Sequence, residues 1–434
     1  MTVETKLALS ASEVRSFSEL NNEPKWFTDL RAAAIEKASV LPMPKPDKTN
    51  ITKWNFTEFP KHTVESDSFT LEDLPPEVKD LIDIENQENL YIQRNNTPAF
   101  LKVSEELKSQ GVIFTDFLTA VREHGDLVQK YFMTEAVKLD EHKLTAYHAA
   151  LINGGVFLYV PQNVVVEKPI QVVFLNDNEE ASLFNHVLIV ADQDSSVTYV
   201  ENYLSTIEES KGQANLIEEV VVLDNAQVTF GAVDVLAKGF TTYVNRRGHV
   251  KRDAKIDWAL GLMNDSDTIS ENITHLMGDN SLAETKTVMI GRGTQKQNFT
   301  TEVRHYGKHS EGFILKHGVM KDAAQTIFNG IGKIEHGASK SNAQQESRVL
   351  MLSEKARGDA NPILLIDEDD VMAGHAASVG RVDPSQLYYL MSRGISKAEA
   401  ERLIIHGFLA PVVTSLPIEG VKQQLTKVIE GKVR

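Results

Sequence analysis

From Asn153 to about Gly337 the chain shows no helical periodicity for about 180 residues. Short apolar, β-branched segments follow one another instead, separated by Gly, Asp and Asn. Examples are VFLYV from Val156, IQVVFL from Ile170, HVLIVA from His186, LIEEVVVL from Leu216 and AQVTF from Ala226. A stretch that long built only of strands folds as a solenoid, a barrel or a sandwich. Weak self-similarity favours a solenoid. Val190-Ala191-Asp192 leads through small polar residues to Val197-Thr198-Tyr199, and Val222-Leu223-Asp224 leads likewise to Val228-Thr229-Phe230. In both, a strand ends at Asp, turns, and restarts. Stacking such coils completes a core that one coil cannot bury alone. At this level a Greek-key sandwich remains open. The end coils of a solenoid expose strand edges that need covering. The helical segments before residue 152 and after 383 are candidates for those caps.

Three units follow: a helical region with an extended linker over 1–152, a β core over 153–382, and a helical domain over 383–434. Residues 1–40 read as helix, with Trp26, Phe27, Leu30, Ala34 and Ile35 at helical spacing. LPMPKPDK from Leu41 is a proline-broken linker, and Trp54, Phe56 and Phe59 suggest a short strand or docking arm. Residues 60–100 read as turn-rich, with a possible helix after Pro75-Pro76. Phe114–Leu151 reads as helix broken at His124-Gly125. After Val382, Asp383-Pro384-Ser385-Gln386 and Ser396-Lys397-Ala398-Glu399 start two capped helices. Gly394 stops the first and Pro411 ends the second. A third helix starts near Pro417.

Charge and cysteine content exclude several functions. Net charge is 45 minus 61, or −16, which disfavours a phosphate backbone as partner. The one dense basic run, Arg246–Arg252, reads as a solvated strand or turn. The chain has no cysteine, so disulfides, thiol nucleophiles and a self-contained four-cysteine cluster are excluded. The segment MTVETKLALSASEVRSF has neither the basic nor the apolar part of a signal peptide, and no apolar run approaches the ~18 residues of a membrane span. These features predict a cytoplasmic protein.

Few residues suggest chemistry. His305 and His309 have helical ligand spacing, but Gly307 between them and the alternation of Phe299, Thr301 and Val303 indicate a strand end. Gly330–Gly337 lacks Walker spacing. A carbohydrate-active β-helix enzyme would use carboxylates and bases such as Asp253, Asp257 and Arg304, although such residues occur on any solvated strand face. A homo-oligomeric structural protein is a further alternative. Asp367-Glu368-Asp369-Asp370 reads as a solvated turn. His375 lies between Ala373-Gly374 and Ala376-Ala377-Ser378, small neighbours that leave its imidazole accessible; imidazole suits a borderline metal such as iron, but a lone histidine among small residues is more often structural than a ligand.

The segment NPILLIDEDDVMAGHAASVG from Asn361, followed by DPSQLYYLMSRGISKAEAERLIIHGF, resembles the C-terminal signature of the SufB/SufD family of iron–sulfur assembly scaffolds. His317–Pro362, Glu23–Phe56 and Gly154–Ile170 resemble other parts of the same family. The absence of cysteine and the histidine at 375 favour the SufD-like branch. The resemblance implies a right-handed parallel β-helix flanked by helical domains. It implies a non-catalytic scaffold that pairs with SufB and docks the ATPase SufC, with a homodimer possible in isolation. His375 would then be a metal ligand at the interface with SufB, where a nascent cluster forms. The SufC dock would comprise Pro384, Leu387, Tyr388, Leu390, Arg393, Gly394, Ile395, Leu403, Ile404 and Phe408. The resemblance implies no cofactor held stably by this chain alone. Iron or the nascent cluster would sit at the shared interface, and ATP on SufC.

Overall fold

The computed structural model describes residues 9–66, 71–79 and 88–433. The expected helix over residues 1–8 lies outside them. Helices α1 (Ala11–Leu20) and α2 (Lys25–Val40) open the chain, and a short 3-10 turn and α3 (Pro76–Lys79) follow the linker. Next come β1 (Leu90–Arg94), β2 (Thr97–Lys102), α4 (Glu105–Ser109), β3 (Ile113–Asp116), α5 (Phe117–Glu123), α6 (Gly125–Tyr131) and α7 (Lys143–Leu151). The β core runs through β4 (Gly154–Val160), β5 (Ile170–Asn176), β6 (Asn185–Ala191), β7 (Ser196–Ser205), β8 (Gln213–Val222) and β9 (Gln227–Val235). It continues through β10 (Thr241–Val250), β11 (Lys255–Leu262), β12 (Asp267–Leu276), β13 (Leu282–Gly291), β14 (Lys296–His305) and β15 (Glu311–Met320). It ends with β16 (Gln325–Ile334), β17 (Asn342–Met351), β18 (Arg357–Ile366) and β19 (Met372–Arg381). Helices α8 (Pro384–Ser392), α9 (Lys397–Ser415) and α10 (Glu419–Val433) complete the chain.

Alternate strands enter two sheets. One has the order β19-β17-β15-β13-β11-β9-β7-β5-β1-β2, the other β18-β16-β14-β12-β10-β8-β6-β4-β3. From β4 to β19 every pairing is parallel and links strand n to strand n+2, which makes a β-solenoid of about eight turns. The expected solenoid is therefore the fold, and a sandwich is excluded. Its corners stack as the weak repeat implies. Asp194 and Asn225 both take positive φ (59° and 58°), and Asn225 Nδ2 donates to Asp194 Oδ1 at 2.7 Å. Asn and Asp tolerate this left-handed conformation better than bulkier residues, so they mark the turns.

The two ends are finished differently. At the N-terminal end, β2 and β3 pair antiparallel with β1 and β4 and close the sheets. The flanking helices do not cap the ends, as the sequence suggests, but lie along the sides. The side chains of α1, α2 and α5–α7 share one apolar cluster with Phe157, Leu188, Ile217 and Val221 on the outside of the second sheet. Arg31, wholly buried, pairs with Glu23 at 2.7 Å and donates to the carbonyls of Ala150 and Ile152. Helices α9 and α10 cover the outside of the first sheet, where Val421, Leu425 and Ile429 meet Val200, Val233 and Val288. Apolar stripes wide enough to cover a sheet face are better buried there than over a narrow coil end.

Other expectations need correction. The initial helix is broken into two at Asn21–Pro24, where Asn22 has φ 52°. Phe114 lies in β3, and residues 132–142 are not helical. The Trp54–Phe59 arm forms no strand; Trp54 and Phe56 pack with Tyr243 and Ile269. The turn-rich stretch contains the β1–β2 hairpin. Helix α9 passes through Pro411 to Ser415. Pro411 is exposed, while Leu409 and Val412 on either side of it are buried against the first sheet, which holds the helix through the proline.

Candidate functional site

The C-terminal end of the solenoid is open. Among the described residues β18 pairs only with β16, and β19 only with β17. Both are ten-residue strands with a free edge. Apolar side chains are exposed there, including Leu365, Ile366, Val379 and Met372, the last at 61%. Natural proteins rarely leave a long edge of this kind uncovered.

His375 lies in the middle of β19. The ladder places it directly over Gln345, and Gln345 over Ile314. The same column continues down through Thr285, Trp258, Phe230 and Tyr199. Tyr199, Phe230, Trp258 and Ile314 belong to the interior core, so this column faces the lumen. His375 thus stands on the lumen-facing side of the last coil. It is exposed because, among the described residues, no further coil covers it. Beneath it, Gln345 Nε2 crosses to the carbonyl of Ile363 on β18 at 2.9 Å.

One column over and two coils down sits Lys316, fully buried. Its Nζ donates to the Asn329 carbonyl at 2.7 Å and lies 5.2 Å from the Phe328 ring centroid. Burial without a carboxylate partner pushes its ammonium down to about 7. Deeper in the lumen, Arg246 pairs with Glu218 (2.6 Å), Asp234 (2.9 Å) and Glu201 (3.0 Å), all buried. The basic run is therefore not a solvated turn: Arg246 points inward, and Arg247 pairs with Glu141 of the helical region at 2.8 Å. Burial raises Glu218 well above the usual carboxylate range, against the pull of Arg246.

The other candidates separate. His305 ends β14 with Nδ1 2.8 Å from Ser310 Oγ, and His309 forms the following corner at φ 55°. Asp257 pairs with Lys255 (3.1 Å) outside the first sheet, whereas Arg304 pairs with Glu302 (2.7 Å) outside the second. Asp253 is a corner residue. These three form no common site. In the acidic turn Glu368 accepts the Gly337 N–H and Asp370 pairs with Lys340 at 2.8 Å. Among the described residues no three of His, Asp and Glu converge to hold a metal.

Immediately after β19, Asp383 caps α8 by accepting from Ser385 N–H at 2.8 Å, and Ser396 caps α9 by accepting from Glu399 N–H. Helix α8 buries no residue. Tyr388 is 74% exposed and Tyr389 56%, with Met391 and Leu403 also exposed. The Arg393 guanidinium lies 5.2 Å from the Tyr389 ring centroid. Pro384, Arg393 and Gly394 are exposed; Leu387, Leu390, Ile395 and Ile404 are half-buried. Phe408 turns to the solenoid: His317 Nδ1–H donates to its carbonyl at 2.8 Å, and the two rings are 5.0 Å apart.

Lys316, Gln345 and the Arg246 cluster escape sequence reading. Their signal is the repeat itself, since Ile314, Gln345 and His375 recur at 31 and 30 residues, one per coil.

The structure is thus a parallel solenoid open at one end, with one histidine on the open strand and helices docked alongside. A family model described as "SUF system FeS cluster assembly, SufBD core domain" matches residues 173–408, and one for the SufBD N-terminal region matches 82–172. The chain therefore belongs to the SufB/SufD family of iron–sulfur cluster assembly proteins. Within that family it is 68% identical, over the whole of both chains, to the iron–sulfur cluster assembly protein SufD of Bacillus subtilis. It is also 27% identical to an iron–sulfur cluster assembly SufBD family protein of Staphylococcus saprophyticus, over 95% of this chain and 90% of that one. No helix of the described residues is long and apolar enough to cross a membrane.

Proposed function

We propose that this chain is a non-catalytic, cytoplasmic scaffold subunit of a SUF assembly complex, and that its open terminal coil is where SufB pairs with it. The observation that carries this reading is the uncovered end of the solenoid with His375 at its centre. An edge strand with free backbone groups and exposed apolar residues is a template for another sheet. His375 then faces the joint between two lumens and offers one imidazole to iron or a nascent cluster, which is cargo here. A histidine fits iron as a borderline ligand. The remaining ligands, thiolates above all, come from SufB, because this chain has no cysteine.

The exposed face of α8 and the start of α9 docks SufC, with Tyr388, Leu403 and Arg393 as contacts and ATP held by SufC. An exposed patch with two tyrosines and an arginine suits a protein interface. Phe408 serves that dock indirectly, by fastening α9 to His317. The test is reconstitution with SufB and SufC. His375→Ala is expected to assemble the complex normally but form clusters more slowly; clusters formed at the wild-type rate refute the ligand role. Tyr388→Ala with Tyr389→Ala is expected to lose SufC and keep SufB. Retention of SufC refutes the dock.

A further inference from the structure

The extended linker crosses the outside of the second sheet, where Ile51 and Phe56 pack with Tyr243 and Ile269. Its turn at Asp47-Lys48 is fastened by a ladder of amides. Asn298 Nδ2 donates to the Asp47 carbonyl at 2.8 Å and to Thr49 Oγ1 at 2.7 Å. Asn329 Nδ2 donates to Asn298 Oδ1 at 3.3 Å, and Asn361 Nδ2 to Asn329 Oδ1 at 2.9 Å. Asn361 Oδ1 in turn accepts from Lys48 Nζ. Asn298 and Asn329 are buried, so the linker is keyed into the sheet rather than laid on it. Lys48 itself has φ 53°, a left-handed conformation that is uncommon for lysine. Between this turn and the corner of the solenoid lies a cavity of about 140 Å³. Lys296, Gln325 and Arg357, the first residues of β14, β16 and β18, line it and stand one over another in the ladder. Adjacent strands are ~4.8 Å apart, so long side chains from three successive coils reach one space. Lys48, Thr49 and Asn50 line it from the linker. Among the described residues no carboxylate lines this cavity, in a chain whose net charge is −16.

The three cations are incompletely neutralised. Lys48 meets a neutral amide, and among the described residues neither it nor Lys296 pairs with a carboxylate. Asp267, one coil before Lys296, accepts the Lys296 backbone N–H at 2.8 Å. Arg357 gives Nη2 to Asp359 at 2.8 Å. Like charges gathered in this way repel one another until an anion joins them. We infer that the cavity is a site for a small multivalent oxyanion of the phosphate class. Two ammonium groups supply point charges, and a guanidinium presents the N–H fork that phosphoryl oxygens accept. The Asn50 and Gln325 amides add neutral donors. Size limits the ligand. Pockets that enclose a whole drug-sized molecule span ~300–1,000 Å³, so this one takes a phosphate or diphosphate group, free or at the end of a larger molecule. The site lies outside the second sheet, away from the lumen, and rests on neither the pairing nor the docking proposed above.

The experiment titrates the full-length chain with inorganic phosphate and, separately, with pyrophosphate, followed by 31P NMR, and locates the site by residue-resolved amide exchange. Binding with a Kd of about 1 mM or tighter is expected, with added protection in the Asp47–Thr49 turn and at the starts of β14, β16 and β18. Lys296→Met with Arg357→Met should weaken binding about tenfold or more. Lys25→Met with Lys211→Met removes as much charge from exposed lysines elsewhere and should leave the affinity within about twofold. Pyrophosphate bound about tenfold more tightly than phosphate assigns a diphosphate-bearing ligand, and equal affinities assign free phosphate. Absence of binding by both anions, or equal losses in the two double variants, overturns the site. If the Lys296 and Arg357 double variant does not fold, Lys296→Gln alone decides: it should weaken binding, and unchanged affinity overturns the site.

Discussion

Replacing Glu219 by Gln should change how stability depends on pH, by an amount the structure sets. Glu219 is fully buried between the solenoid and the helical region. Its Oε1 accepts the Met133 N–H at 2.7 Å and its Oε2 the Val137 N–H at 3.1 Å. Its Oε1 also lies 3.2 Å from His186 Nε2. His148 fixes the tautomers of this chain. Its Nδ1 must donate to the Asn215 carbonyl at 3.0 Å, so its Nε2 accepts from His186 Nδ1–H at 3.1 Å. A neutral His186 then turns a lone pair to Glu219, which is compatible only with a protonated carboxyl. Burial pushes that carboxyl up to about 8 from its ordinary 4.5, against the two backbone N–H groups and nearby Arg247. The sign follows from linkage. A folded pKa raised above the unfolded value gives stability fully present below pH 4.5 and lost as pH rises through 8. Between pH 5 and 7.5 the unfolded chain releases this proton and the folded chain keeps it. At ~1.4 kcal/mol per pH unit, wild type loses about 3 kcal/mol there that Glu219→Gln does not lose. Urea unfolding of both proteins across that range measures it. Any hydrogen bond lost by the amide shifts the variant's curve uniformly, so the difference in slope isolates the proton. Parallel curves would refute a protonated Glu219.

Three further outcomes follow from packing and charge. In Gly261→Ala a Cβ would lie 2.2 Å from Leu425 Cδ2, so the Leu425 side chain or α10 must give way; unfolding stability should drop by ~1–3 kcal/mol, with faster amide exchange in α10. Arg246→Met leaves Glu201, Glu218 and Asp234 buried without their cation, and should destabilise by ~3–5 kcal/mol in denaturant titration. His305 is buried and held down to about 4, below its ordinary 6.5. It therefore removes up to ~3 kcal/mol as pH falls from 6.5 to 4, and His305→Gln should flatten that limb of the curve.

The solenoid was legible because its corners carry their own chemistry. Asp194 and Asn225 mark left-handed turns, and strand resumes after each at a fixed interval. The starts of α8 and α9 were legible from Asp383 and Ser396 for the same local reason. What escaped depends on register, which no local pattern reports. The side chains of Arg246 and Arg247 are one residue apart yet lie on opposite faces of β10, so a basic run that looks solvated is half interior. The β1–β2 hairpin was hidden by Pro98, which sits opposite Gln93 where the register shifts. Helix α9 outlasts Pro411 because Leu409, Val412 and Leu416 bury against the sheet, a tertiary gain that local propensity does not contain. His375 itself was visible as a residue. Its place on an open lumen-facing edge was not, since that requires knowing which coil is last.

The most direct test of the scaffold account is pulsed EPR on the reduced cluster of a complex in which only this chain carries 15N-labelled histidine. The account predicts a 15N hyperfine coupling from a directly bound imidazole, lost in His375→Ala. A cluster of normal yield with no such coupling would contradict it.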